Sequence, residues 1–172
     1  IWMCKDDIAN TAQMGYFSEA SFSNLTFRYC GMWGYSLKNL YNSTVYNCDC
    51  FDSGTVPVWC GSCSGLVESC IKVTLDGCDI YCANRDPAQS YDGCGFDFEA
   101  WNYDVTYKNA VIDGTDGCGI FVFDNGLGNI NDKLAITGCT IKSSGLNCGN
   151  TCANVDFTAK IGSNGGIFAN NN

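Results

Sequence analysis

A chain of 172 residues is long enough for one hydrophobic core and short for two, and a composition 46% apolar and 16% charged excludes disorder. No apolar run approaches the roughly 18 residues of a membrane span, so a soluble chain is expected, and a net charge of −9 argues against nucleic acid, which needs a basic footprint. Cysteine at 14 residues, an even number, predicts an oxidising compartment and hence a secreted, extracellular protein, while the absence of Met at position 1 fits a processed or partial chain.

In chain order, residues 1–14 carry Ile1, Trp2, Met3 and Ile8 around the Asp6-Asp7 pair and read as an N-terminal segment or cap. From Gly15 an internal repeat takes over. Gly, an apolar residue, a free position and usually another apolar residue recur at Gly34-Tyr35-Ser36-Leu37, Gly95-Phe96-Asp97-Phe98, Gly119-Ile120-Phe121-Val122 and Gly166-Ile167-Phe168-Ala169. Weaker copies begin at Gly15, Gly65 and Gly145. A second block aligns Leu25 to Cys30, Ser43 to Cys48, Val73 to Cys78, Val105 to Ala110 and Leu134 to Cys139 in one register. Apolar period two means strands, and no segment sustains a helical period, so almost no helix is expected.

Each unit offers a strand, a loop, a second strand, a tight corner at Asn or Gly, and a third short strand. One unit cannot bury its apolar face alone, whereas stacking equivalent units at about 4.8 Å builds a continuous core. Over roughly residues 15 to 170 this pattern resembles the right-handed parallel β-helix repeat family, the fold of the pectate-lyase-like proteins. The resemblance implies an all-β, right-handed parallel β-helix of about six irregular, disulfide-stapled coils over residues 15–172, with 1–14 as cap. Asn47, Gly77, Asn109 and Gly138 look like that family's corner column. Leu25, Val73, Val105 and Leu134 would point inward, as would Phe27, Val45, Leu75, Tyr107 and Ile136.

Cys30, Cys48, Cys78 and Cys139 then share one corner column, with Ala110 in the fourth place. Neighbouring Cα atoms at about 4.8 Å permit coil-to-coil disulfides, and a ladder of buried thiols is the equal alternative. Loop disulfides are expected between Cys148 and Cys152 and between Cys82 and Cys94, and the Cys60-Gly61-Ser62-Cys63 pair reads as structural. With no His and no paired CxxC spacing, no metal is expected at these cysteines.

The absence of His removes His-based triads and imidazole metal sites. The polygalacturonase branch of the fold uses Asp clusters with a Gly-His-Gly segment, which nothing here matches. The lyase branch implies Ca²⁺ on acidic residues beside an Arg or Lys base. Asp97 and Glu99, both outward from one strand about 6.6 Å apart, are the best catalytic or Ca²⁺ candidates, although the next coil sets Phe121 over Asp97. No other cofactor is expected. Thr26, Thr44, Thr74 and Thr106 form an outward column, and two of them complete glycosylation sequons at Asn24 and Asn42, placed in one column of adjacent coils. The favoured reading is an extracellular structural or adhesive glycoprotein that self-associates end to end into a filament, with covalent or bound glycans. The other is a carbohydrate-active enzyme of the same fold, a polysaccharide lyase or glycoside hydrolase, or its inactive remnant.

Overall fold

A computed structural model describes residues 2–3, 15–54, 63–83, 93–99, 101–122, 131–143, 155–157 and 168–169. All regular structure among them is strand, and no helix among them is long and apolar enough to cross a membrane. The chain runs β1 (Trp2–Met3), β2 (Phe17–Ser18), β3 (Ser21–Ser23) and β4 (Thr26–Arg28), then β5 (Trp33–Lys38), β6 (Leu40–Tyr46) and β7 (Asp49–Ser53). Next come β8 (Cys63–Glu68), β9 (Ile71–Asp76) and β10 (Ile80–Ala83), followed by β11 (Cys94–Phe98), β12 (Tyr103–Lys108) and β13 (Val111–Asp113). β14 (Ile120–Val122), β15 (Ala135–Thr137), β16 (Thr140–Lys142), β17 (Val155–Phe157) and β18 (Phe168–Ala169) complete the order.

These strands form three parallel sheets visited in rotation. Sheet one is ordered β1-β5-β8-β11-β14-β17, sheet two β2-β6-β9-β12-β15-β18 with β3 also on β6, and sheet three β4-β7-β10-β13-β16. Each circuit therefore lays one strand on each sheet beside its predecessor, an arrangement compatible with a parallel β-helix. The last predicted Gly repeat departs from the scheme, because Phe168 pairs with Ala135 and so lies on sheet two rather than sheet one.

The core confirms most of the inward columns. Val73 pairs with Val105, and Val45, Leu75, Tyr107 and Ile136 follow one another in register. All of these are buried. Phe96 stacks on Tyr107 with ring centroids 4.3 Å apart, and the buried Tyr107 hydroxyl donates to the Cys78 carbonyl at 2.8 Å, so the ring is packed without an orphaned polar atom.

The first circuit corrects the expected alignment. Phe22 pairs with Val45, whereas Phe27 pairs with Cys50 and Thr26 with Asp49. The segment from Leu25 onward therefore belongs to sheet three, and Ser21 rather than Thr26 stands beside Thr44. Gly65 is likewise one place out: it pairs with Tyr35 and Phe96, leaving Ser64 level with Gly34 and Gly95.

The corner column is where it was expected, and it gains a member. Asn24, Asn47, Gly77, Asn109 and Gly138 all have φ between 51° and 63°. Left-handed backbone favours Gly and Asn, and Asn also bonds its neighbour: Asn47 Nδ2 donates to Asn24 Oδ1 at 2.9 Å, and Asn109 Nδ2 donates to Asp76 Oδ1 at 2.8 Å. Two further columns adopt the same backbone with mostly other residue types. Glu19, Asn42, Lys72, Asp104 and Lys133 form one inside sheet two, and Tyr29, Asp52, Cys82, Gly114 and Ser143 form another at the end of sheet three.

No disulfide joins Cys30, Cys48, Cys50, Cys70, Cys78 or Cys139. In-register neighbours point the same way, so their Cβ atoms stay near the strand spacing of about 4.8 Å, longer than the roughly 3.5–4.5 Å that a disulfide takes. The thiols donate to carbonyls instead: Cys48 to Tyr46 at 3.4 Å, Cys78 to Val45 at 3.6 Å, and Cys139 to Thr137 at 3.6 Å. Burial pushes Cys50 and Cys70 up to about 11 and Cys78 to about 12. The thiolate is the nucleophile, so less than about one part in a hundred of each is reactive at pH 8. Iodoacetamide at that pH is expected to spare these three in the native protein and to label them in denaturant without reductant. Resistance in denaturant would instead reveal coil-to-coil disulfides.

Candidate functional site

Two features outside the central core gather chemistry. The first lies on the outer face of sheet one. Building a Cβ on Gly95 brings it to 2.6 Å from Ile112 Cγ2 in the core, and the adjacent Phe96 is also a core residue, so two consecutive positions of β11 face inward. Strict alternation would place Cys94 and Asp97 on opposite faces. This double inward step puts both on the outer one.

Cys94 pairs with Cys63 across β8 and β11, and Asp97 stands between Leu66 and Phe121, as expected for Phe121. One ligand-type atom from each of Cys63, Cys94 and Asp97 lies within 4.8 Å of the other two. Cys63, Cys94, Leu66 and Cys118 form a second buried cluster flanked by Trp33 and Phe121, separate from the core. Asp97 itself is only 3% exposed, so although it lies on the outer face of its strand it does not face solvent.

Glu99 follows the end of β11, half-buried, with its amide donating to the Val67 carbonyl at 2.9 Å. The two carboxylates therefore do not face solvent as a pair from one strand. Ca²⁺ takes some six to eight oxygen ligands, whereas the ligand-type atoms beside Asp97 are sulfurs.

Of the expected disulfide residues, Cys82 is exposed on β10 and Cys94 is buried on β11, and no bond joins them. Cys82 sits in the left-handed column that ends sheet three. Cys60, Cys148 and Cys152, like the Asp6-Asp7 pair, lie outside the described residues. Asn24 and Asn42 are both exposed, but they do not share a column: Asn24 belongs to the corner with Asn47, and Asn42 follows Tyr41 inside sheet two.

The second feature is a line of exposed aromatics where the chain enters sheet two. Tyr16, Phe17, Tyr41, Trp101 and Tyr103 are 36–50% exposed. Tyr41 and Tyr103 both pair with Ile71, from opposite sides, so they share one column about 9.6 Å apart. Cations accompany them: Lys72 Nζ lies 5.9 Å from the Tyr41 ring centre, and Lys133 Nζ lies 4.6 Å from that of Tyr103 while donating to its hydroxyl at 2.5 Å. The sequence reading missed this line because its members sit before the aligned blocks.

It also missed a buried amide ladder beneath the line. Asn102 accepts from the Cys70 amide at 3.1 Å, donates through Nδ2 to the Glu99 carbonyl at 2.6 Å and to Asn131 Oδ1 at 2.9 Å, and Asn131 donates to the Phe98 carbonyl at 3.2 Å. The signal was available, since Asn102 and Asn131 each stand three places before an inward residue, Val105 and Leu134. Searches of family models, curated proteins and solved structures find no match to this chain.

Proposed function

We propose that this chain is a right-handed parallel β-helix and that it serves as an extracellular structural or adhesive glycoprotein. The observation that carries the adhesive role is the aromatic line of Tyr41, Trp101 and Tyr103 with its Lys72 and Lys133 partners. Aromatic faces stack on the C–H faces of sugar rings, and flanking cations and amides supply hydrogen bonds to hydroxyls. A stack of hydrogen-bonded strands holds those rings at fixed spacing, which limits the entropy lost when a long polysaccharide is bound. The same reading includes assembly end to end into filaments, supported by an apolar cavity beside the edge strands β3 and β4, lined by Phe22, Leu25, Phe27, Tyr35, Leu37 and Val45.

Retention on a panel of insoluble polysaccharides tests the adhesive role. Each stacked ring contributes on the order of 1 kcal/mol, so Trp101→Ala with Tyr103→Ala is expected to weaken binding at least tenfold while leaving thermal unfolding nearly unchanged. No retention of the wild type, or equal retention of the variant, sinks this reading. Cleavage of any panel member would move the assignment to a carbohydrate-active enzyme.

A further inference from the structure

The outer cluster of sheet one has a chemistry that polysaccharide adhesion does not use. Cys63 and Cys94 are 2% and 1% exposed, and Asp97 is 3% exposed. Their donor atoms converge within 4.8 Å from two adjacent, fully paired strands rather than from loops. We propose that Cys63, Cys94 and Asp97 bind one divalent metal ion of the thiolate-preferring class, Zn²⁺ under physiological conditions.

The donor set selects the ion. Two thiolates and one carboxylate suit Zn²⁺, which takes sulfur at about 2.3 Å and carboxylate oxygen at about 2.0–2.2 Å in a tetrahedron. Those bond lengths require donors separated by roughly 3.5–3.8 Å, inside the 4.8 Å within which the three donors already lie. Three protein donors leave one tetrahedral position for water or a further ligand. Binding breaks both S–H bonds, forms two metal–sulfur bonds and releases two protons to solvent, so affinity rises with pH. Exchanging two protons for one divalent ion leaves the net charge of the site at one negative, so binding adds no buried charge beside Leu66, Trp33 and Phe121. Because Cys63 and Cys94 belong to consecutive circuits, the ion ties one circuit to the next.

The inference stands apart from polysaccharide binding and is tested on the full chain. Zn²⁺ added to the reduced protein and then dialysed is expected to remain at about one ion per chain, and Cys94→Ser and Asp97→Asn are each expected to lose at least tenfold in affinity. Co²⁺ substituted in the wild type is expected to show a thiolate-to-metal charge-transfer band, a readout that needs no variant and so survives if Cys94→Ser fails to fold. Chelation of the wild type is expected to lower its melting temperature. The proposal is overturned if the wild type retains no Zn²⁺ and shows no cobalt–thiolate band. Unchanged affinity in a folded Cys94→Ser chain also overturns it, as does a Cys63–Cys94 or Cys60–Cys63 disulfide that persists in the metal-loaded protein.

Discussion

The Val105→Asp chain is expected not to fold. Val105 is fully buried in sheet two, paired with Val73 and surrounded by core side chains from neighbouring circuits. Removing it forfeits about 1.5–3 kcal/mol of burial, and an unpaired carboxylate in its place costs several kcal/mol more. That sum rivals the whole stability of an ordinary domain, about 5–15 kcal/mol. Thr106, the next residue, lies on the other face and is partly exposed, so Thr106→Asp is expected to cost about 1 kcal/mol or less. Circular dichroism with urea titration of both chains checks the pair, and equal tolerance at the two positions would refute the inward and outward assignment.

Asn102→Ala is expected to be nearly as damaging, although it removes no apolar surface. The side chain is 1% exposed and satisfies the Cys70 amide and the Glu99 carbonyl, both close to the turn between sheets one and two. Each buried partner left unpaired costs about 1–3 kcal/mol, so a loss of roughly 3 kcal/mol or more is expected. Asn109→Ala provides the comparison. Its amide also bonds another circuit, but at the exposed corner, where water replaces the lost partner, so the cost is about 1–2 kcal/mol and comes mainly from holding Ala in the left-handed backbone. A urea midpoint shifted equally by both substitutions would show that the buried ladder has no special weight.

The repeat from Ser43 to Cys139 was legible because two signals coincide in it: apolar alternation and an Asn or Gly at the left-handed corner. Where only alternation was read, the alignment slipped. Thr26-Phe27-Arg28 mimics a sheet-two strand, yet the corner residue Asn24 precedes it, and Phe22-Ser23-Asn24 matches Val45-Tyr46-Asn47. The Cys63, Cys94 and Asp97 cluster was harder to see. Aligning Gly65 with Gly95 hid the Cys63–Cys94 pairing by one residue, and the consecutive inward positions Gly95 and Phe96 break the alternation that assigns faces. Burial of Asp97 was not legible at all, because period two tells which face a residue takes but not whether other chain covers that face.

The rotation of the chain through the sheets also decides where this molecule can change. From sheet one to sheet two the link is as short as Asn39, and from sheet two to sheet three it is as short as Asn47-Cys48, each fixed by a left-handed residue. The return from sheet three to sheet one varies in length, spanning residues 29–32, 54–62, 84–93, 114–119 and 143–154 in successive passages, and the link from sheet one to sheet two also lengthens, to residues 123–134 between β14 and β15. Lengthening a link of this kind costs little free energy, because the closure entropy grows only logarithmically. Two flanks of the stack are thus open to insertion and grafting, while the corner between sheets two and three, two or three residues long in each circuit, admits almost no change in length. Peptide tags or binding loops placed between β7 and β8 or between β10 and β11 offer a route to engineering the protein that leaves its ladders in register.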